Sequence, residues 1–207
     1  MAERIKKHWE LSLIFAAGLI LTITAIFSVF PNPVFGDVST TIVVTATVQE
    51  YLSFTSSATS TTLSPDLVNN AGATAIGSSS NITLTVNTSS ADGYTIYVKG
   101  TTGTGLTTGG NQIYTTPATT TVAAGTNAFG LQATTTTSGM TVAANFNWPF
   151  TGTIVGSASS TTNKTLATET SPGASQIVTI RFLAAATSTM AAGSYQDTIE
   201  LTAVPTP

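Results

Sequence analysis

Histidine and cysteine carry much of the catalysis that proteins perform at neutral pH, and this chain has one histidine and no cysteine. His8 lies in the N-terminal tail with Arg4, Lys6 and Lys7, so the remaining chain has neither imidazole nor thiol. A serine nucleophile would then need a lysine or carboxylate base, and no G-x-S-x-G or S-x-x-K motif stands out. We therefore expect no catalytic residue, no cofactor and no enzymatic activity.

The carboxylates offer two further kinds of chemistry. A pair of them could hydrolyse a glycosidic bond, and a cluster could bind calcium. The carboxylates are instead scattered along the chain, at Asp66, Asp92, Glu169, Asp197 and Glu200. We expect most of them in turns or on strand exteriors, and no D-x-D-x-D cluster occurs. The sequence thus predicts no metal site, and a secreted glycoside hydrolase is a remote alternative.

Asp197 differs from the other carboxylates because its strand phase points inward, together with Tyr195 and Ile199. A buried charge needs a partner. One interpretation is a strand end close to solvent. The other is a Lys-Asn isopeptide bond assisted by a buried acid, with Lys99 or Lys164 as the lysine.

Aromatic side chains are the candidate ligand contacts. Phe146, Trp148 and Phe150 alternate with Asn145, Asn147 and Pro149 and could stack on sugar rings, although such clusters more often pack in a core. Tyr94 and Tyr97 lie on opposite faces of one predicted strand, so we expect one of them to be exposed. The candidate contacts are Trp148, Phe150, Tyr94 and Tyr97.

The first 36 residues resemble an export segment. Three basic residues precede an uncharged apolar run over residues 11–30, followed by two prolines. Gly36 fits the small-residue position before a signal-peptidase cut, which would give a mature start at Asp37. Twenty apolar residues also suffice to span a bilayer, so an uncleaved anchor helix is the alternative. Either outcome places residues 37–207 outside the membrane, with membrane contact through residues 11–30 alone.

The exported part is poor in charge. Residues 37–207 carry three basic and seven acidic side chains, a net charge of −4. Without a basic patch, we expect these residues to bind neither nucleic acid nor anionic lipid. The abundant serine and threonine hydroxyls must solvate the surface, and they favour neutral partners.

Alternation of apolar and polar residues predicts an all-β body. Residues 81–87 and 94–99 alternate clearly, and Asp92-Gly93 between them is a turn signal, so we expect a hairpin. Residues 41–48, 176–184 and 195–204 form further predicted strands, with Ala192-Gly193 helping to turn one of the last two into the other. Weaker candidates are residues 51–54, 61–68, 128–133 and 142–148. Residues 101–126, 134–141 and 156–175 read as long loops in which a binding function could sit.

This number of short strands predicts one antiparallel β-sandwich of Greek-key or immunoglobulin-like type over residues 37–207. Two segments resemble the WxL-type surface domains of Gram-positive bacteria: residues 82–100 (ITLTVNTSSADGYTIYVKG) and 192–207 (AGSYQDTIELTAVPTP). Tyr94-Thr95-Ile96 and Leu201-Thr202-Ala203 stand where the family has its two Trp-x-Leu signatures. The resemblance implies a β-sandwich that attaches non-covalently to peptidoglycan.

These features together predict a non-catalytic, structural or adhesive protein of a bacterial cell surface or wall. The expected partners are peptidoglycan or another wall polysaccharide, or a surface protein. The alternative is a self-assembling subunit of a pilus or surface layer, in which the chain is its own partner. An assembly subunit needs an open sheet edge or a donated strand, and residues 38–48 or the C-terminal strand could serve.

Overall fold

A computed structural model describes residues 43–68, 72–117 and 119–207. Residues Thr47–Pro207 form one compact unit, and the chain up to Ala46 belongs to a separate unit. The apolar run of residues 11–30 and the predicted cleavage site at Gly36 and Asp37 lie outside the described residues. Within the described ranges, no helix is long and apolar enough to cross a membrane.

The described chain is all-β, as the alternation predicts, and its strands form antiparallel sheets. In chain order the strands are β1 Leu52–Ser56, β2 Ile76–Ser78, β3 Ile82–Thr88, β4 Tyr94–Gly100, β5 Gly105–Thr108, β6 Asn111–Tyr114, β7 Thr120–Thr121, β8 Ala128–Thr135, β9 Thr141–Val142, β10 Ile154–Val155, β11 Lys164–Glu169, β12 Gly173–Ala185 and β13 Ile199–Pro205.

Two larger sheets contain most of these strands. In the first sheet the long strand β12 pairs with β3, β8 and β2, and β1 pairs with the other side of β3. In the second sheet the strand order is β13, β4, β11, β9. Two small ladders, β5 with β6 and β7 with β10, complete the described pairing.

The apolar faces of β3 and β4 both contribute to the core. Alternate residues of each strand are buried while their neighbours are half-exposed. The buried side chains belong to one hydrophobic cluster, to which β8, β11 and β12 also contribute. On β3 and β4 these side chains are Ile82, Leu84 and Val86, and Tyr94, Ile96 and Val98.

The predicted hairpin is wrong, because β3 and β4 lie in different sheets and do not pair. Strand alternation tells which side of a strand faces the core, and two strands facing each other across a core show the same pattern as two neighbours in one sheet. The turn itself is where the sequence places it: Gly93 has a φ of +76°. For the same reason β12 and β13 are not partners, although each was expected as a strand.

The first predicted strand is also corrected. Residues 43–48 contain no strand, and Val43, Val44 and Val48 are 84%, 87% and 84% exposed. Thr41 and Ile42 lie outside the described residues. Residues 61–68 contain isolated bridges in place of a strand, and the candidate over 142–148 reduces to β9 at its start.

Strands also occur within the predicted loops. The segment 101–126 contains β5, β6 and β7, and the segment 156–175 contains β11 and the start of β12. A bulge between Thr165 and Ala167 on β11 buries both Leu166 and Ala167, which breaks the alternation that would have marked this strand. The weaker candidates at 51–54 and 128–133 are confirmed as β1 and β8.

Candidate functional site

A surface pocket of about 300 Å³ lies among the loops at one end of β4. It is formed by the turn after β4, the chain after β6 and the stretch that leads into β11. All but one of its lining residues fall in two of the three loop regions predicted to carry binding, residues 101–126 and 156–175, and none falls in residues 134–141. The lining consists of Gly103, Thr115, Pro117, Asn145, Ser157, Ser159, Ser160 and Lys164.

Asp197 holds the wall of this pocket together. Its Oδ1 atom accepts hydrogen bonds from the Thr101 hydroxyl at 3.2 Å and from the backbone amides of Thr102 at 3.2 Å and Thr198 at 2.8 Å. Its Oδ2 atom accepts a hydrogen bond from the Ser159 hydroxyl. One half-buried carboxylate thus ties the turn after β4 to the segment before β11 and to the chain entering β13.

Ser159 is positioned by this carboxylate but is poorly placed to react. Ser159 is fully buried, and its hydroxyl oxygen lies 3.0 Å from the hydroxyl oxygen of Thr102. A carboxylate is a much weaker base than an imidazole and would not readily remove the proton of a hydroxyl. The arrangement therefore suits the shaping of a pocket better than nucleophilic attack.

The isopeptide interpretation of Asp197 finds no lysine at this carboxylate. Lys99 forms an ion pair with Glu200, with 3.1 Å between Nζ and Oε2, and Lys164 lies exposed on the pocket rim. The described hydrogen-bond partners of Asp197 are hydroxyl groups and backbone amides. These contacts agree with the other interpretation, in which Asp197 lies at a strand end close to solvent: it is half-buried and lies two residues before β13.

The aromatic cluster divides into a core residue and two half-buried ones. Phe146 is fully buried. Trp148 is half-buried, and its indole Nε1 donates to the backbone oxygen of Asn145 at 3.2 Å. Asn145 lines the pocket, so Trp148 is hydrogen-bonded to a residue of the pocket wall, although Trp148 is not itself among the lining residues. Part of Trp148 remains accessible.

Phe150 has a packing role that the sequence did not predict. The guanidinium of Arg181 lies 5.1 Å from the centre of its ring, and Arg181 Nη2 donates to Gln132 Oε1 at 2.6 Å. The amide of Gln132, which is fully buried, donates to the backbone oxygens of Gly152 and Ile154. Burial lowers the pKa of Arg181. These contacts fasten residues 150–154 over β8 and explain why β8 is buried on both faces.

The two tyrosines of β4 lie on opposite faces, as predicted. Tyr97 is half-exposed and can meet a ligand, whereas Tyr94 is 0% exposed. The expectation that Tyr94 contacts a ligand is therefore corrected: its ring fills the core. Its hydroxyl has no hydrogen-bond partner among the described residues, and burial, with a further contribution from Glu169, raises the pKa of Tyr94.

Glu169 is a buried group that sequence reasoning placed wrongly on the outside. The residue is 2% exposed at the end of β11, opposite Tyr94. Its Oε1 atom accepts from the Thr170 amide at 2.9 Å and the Ser171 hydroxyl at 3.0 Å, while Oε2 has no described partner. The bulge at Thr165 and Ala167 shifts the phase of β11, so simple alternation could not have found this site.

The two inward carboxylates lie too far apart for glycoside hydrolysis. Asp197 Oδ2 lies beside Gly100 at one end of β4, and Glu169 pairs with Tyr94 at the other end. Six residues of extended strand span about 20 Å, whereas glycosidase carboxylates lie about 5 to 10 Å apart. Among the described residues, no three histidine, cysteine, aspartate or glutamate side chains come together as a metal site.

Lys164, exposed on the rim, is the basic group of the pocket, and hydroxyls and an amide make up most of its polar lining. Such a lining can hydrogen-bond a small neutral, hydroxyl-rich group. Comparison of the chain with family models, with curated proteins and with solved structures gives no match.

Proposed function

We propose that this protein is an exported, non-catalytic component of a bacterial cell surface, with a structural or adhesive role. The observation that carries the proposal is the order of the chain: a basic tail and an apolar run of 20 residues precede an all-β, hydroxyl-rich body of low charge. The first part is typical of export, and the second suits a durable body that meets neutral partners.

The body is proposed to be a β-sandwich. In support, the two larger sheets contribute to one hydrophobic cluster, and their buried residues alternate along β3 and β4. The five-residue link between these strands carries the chain from one sheet to the other, as connections between the layers of a sandwich do. The WxL-type domains that the sequence resembles are also sandwiches.

The proposed ligand is a wall polysaccharide or peptidoglycan, held at the pocket near Trp148. A concavity with serine, threonine and asparagine in a largely apolar lining, close to a partly accessible indole, is the kind of surface on which sugar rings stack and hydrogen-bond. Tyr97 is retained as a second accessible aromatic side chain, and Phe150 is less suited because Arg181 lies over its ring.

Export is tested on the full chain in a bacterial host. Antibody labelling of intact cells should detect a tag placed at the C-terminus, and sequencing of the product should give Asp37 as its first residue if the signal is cleaved. The Leu19→Arg, Ile23→Arg double variant interrupts the apolar run and should abolish labelling. Labelling that persists in this variant, or is missing in the original chain, would refute export by this segment.

Wall binding is tested with the exported protein and purified peptidoglycan sacculi. The original protein should sediment with the sacculi, and Trp148→Ala should reduce the bound fraction severalfold. Tyr51→Ala is the matched control, because Tyr51 is an exposed aromatic residue just before β1, and neither it nor its chain neighbours line the pocket. Equal binding by the original protein and Trp148→Ala would exclude Trp148 as a contact.

A further inference from the structure

Residues 43–48 have the pattern of a strand without being one. Apolar side chains occupy every second position, at Val44, Ala46 and Val48, and Thr45 and Thr47 alternate with them. Yet the segment forms no strand, and all six residues are exposed. β-branched residues in alternation favour a half-buried strand, so this stretch lacks the sheet edge for which its sequence is suited.

Strand β13 offers such an edge. It lies at the end of its sheet, and β4 is its single strand partner among the described residues. Thr101 N donates to Thr198 O, and Thr206 N donates to Gly93 O, so the even-numbered residues of β13 bond toward β4. In an antiparallel pair, the alternate residues, here the odd-numbered ones of β13, point their N–H and C=O groups away from the partner strand. The outward-pointing residues are Ile199, Leu201 and Ala203.

The side chains beside this edge are incompletely covered. Ile199, Leu201 and Ala203 pack against the hydrophobic core but remain half-exposed. On β1, which also lies at the end of its sheet, Leu52 and Phe54 are half-buried in the same way. The edge of β13 thus combines unpaired backbone groups with apolar side chains that another strand could cover.

We infer that residues 43–48 of one copy of this chain add as a strand to the outer edge of β13 in a second copy. Val44, Ala46 and Val48 would then cover the half-exposed core residues, while Val43, Thr45 and Thr47 would face solvent. Residues 43–48 include no charged residue. Their length of six residues equals that of β13 from Ile199 to Val204, and the next residue, Pro205, has no N–H to donate at that edge.

The donor comes from a second copy because the same residues are exposed in this chain. At their C-terminal side, Gln49 O accepts from the Ser89 hydroxyl at 3.1 Å and Tyr51 N donates to it at 2.9 Å, which fixes the chain where β1 begins. Each copy therefore has one donor and one acceptor. Such head-to-tail contacts extend into an open filament unless the rotation closes a ring.

The chain supplies a closely matched pair of variants for the test. Val43 and Val44 are adjacent and almost equally exposed, and we expect their side chains to face opposite sides of the added strand. Val44→Asp would bury an unpaired charge, and the association constant should fall about 100-fold or more. Val43→Asp makes the same substitution on the solvent side and should assemble as the original chain does. Both are measured in the full chain, in non-ionic detergent, by light scattering and electron microscopy.

A third variant tests the acceptor edge. Ala203→Pro removes an N–H that points away from β4, so the pairing within the fold is retained while the edge loses one donor. It should form few or no assemblies, with an unchanged β-sheet circular dichroism spectrum. Assembly by Val44→Asp or Ala203→Pro to the original extent would overturn the inference, and so would an original chain that stays monomeric.

Disulfide trapping identifies the contact, since the chain has no cysteine of its own. Mixed Thr45→Cys and Thr202→Cys chains should form a heterodimer on oxidation. Thr45→Cys with Thr179→Cys should not, because Thr179 lies on β12, where both neighbours are already paired. If a chain with both Thr45→Cys and Thr202→Cys forms the disulfide within itself, the segment covers its own edge and the inference is wrong. An exported protein that remains monomeric overturns this inference alone, whereas loss of export overturns the proposed function.

Discussion

The Tyr94 hydroxyl is a polar group that the fold buries without a described partner, and this has a consequence for alkaline stability. Burial first, and Glu169 second, raise the pKa of Tyr94 above its usual value of about 10. Above that pH the unfolded chain loses the phenolic proton while the folded chain keeps it. Because the folded state then binds more protons, the free energy of unfolding falls as pH rises.

We therefore expect a decline approaching about 1.4 kcal/mol per pH unit from Tyr94 above pH about 10. Tyr94→Phe should remove this part of the decline and cost little stability at neutral pH, because it deletes a hydroxyl without a described partner. Urea unfolding between neutral and alkaline pH measures both effects. Tyr97→Phe is the control on the opposite face of β4, and an equal loss of the decline in that variant would contradict the assignment.

Asp197 contrasts with Tyr94, because both of its carboxylate oxygens accept hydrogen bonds. Asp197→Ala removes four hydrogen bonds and leaves the Ser159 hydroxyl to find another acceptor. We expect the free energy of unfolding to fall by about 2 kcal/mol, since the group is half-buried and water can replace part of the loss. Glu200→Ala, which removes an exposed ion pair with Lys99, should cost less than about 1 kcal/mol. Equal costs in urea unfolding would show that Asp197 does not hold the pocket.

At the scale of elements, alternation in the sequence identified β3, β4, β12 and β13 as strands but not their partners. The inward residues of β3, β4 and β12 are those that the pattern predicts. Which strands pair depends on where the chain crosses between sheets, and a turn signal such as Asp92-Gly93 is compatible with a hairpin and with a crossing. The bulge in β11 and the two-sided burial of β8 hide alternation altogether, so Glu169 and Gln132 could not be assigned from the sequence.

The crossing between β3 and β4 depends on Gly93. A Cβ atom at this position would lie 1.9 Å from the backbone oxygen of Glu169, in addition to the strain of its φ of +76°. Gly93→Ala should therefore destabilise the fold by more than about 3 kcal/mol. Gly109→Ala is the matched control, because Gly109 has a φ of +47° and nothing within 4 Å of a Cβ. It should cost about 1 to 2 kcal/mol, which is the strain alone. Thermal or urea unfolding of the two variants separates strain from collision, and equal losses would contradict the close approach to β11.

At the scale of the whole molecule, the sequence predicted which loops form the pocket, but it did not predict all of the residues that shape it. The loops 101–126 and 156–175 supply most of the lining, as their composition suggested, but Asn145 and Asp197 come from elsewhere in the chain. Five separate segments meet there, and their meeting depends on the sheets beneath them. The chemistry of the surface, in contrast, can be predicted from composition without knowing the fold. Residues 37–207 have three basic side chains and no imidazole or thiol, so we expect most contacts to be made by hydroxyl, amide and apolar groups.

This low charge makes the proposed assembly distinguishable from electrostatic association. Residues 43–49 carry no charge, and the one charged residue of β13, Glu200, is paired with Lys99 on its own chain. Salt at about 0.5 M screens exposed charges beyond a few ångströms, but it leaves apolar burial and backbone hydrogen bonds between strands in place. Assemblies of the full chain should therefore persist between about 0.05 and 0.5 M sodium chloride. Light scattering across this range measures their extent, with Val44→Asp as the reference that lacks the donated strand. Dissociation at the higher concentration would mean that charged groups hold the copies together, and the edge of β13 would not be the contact.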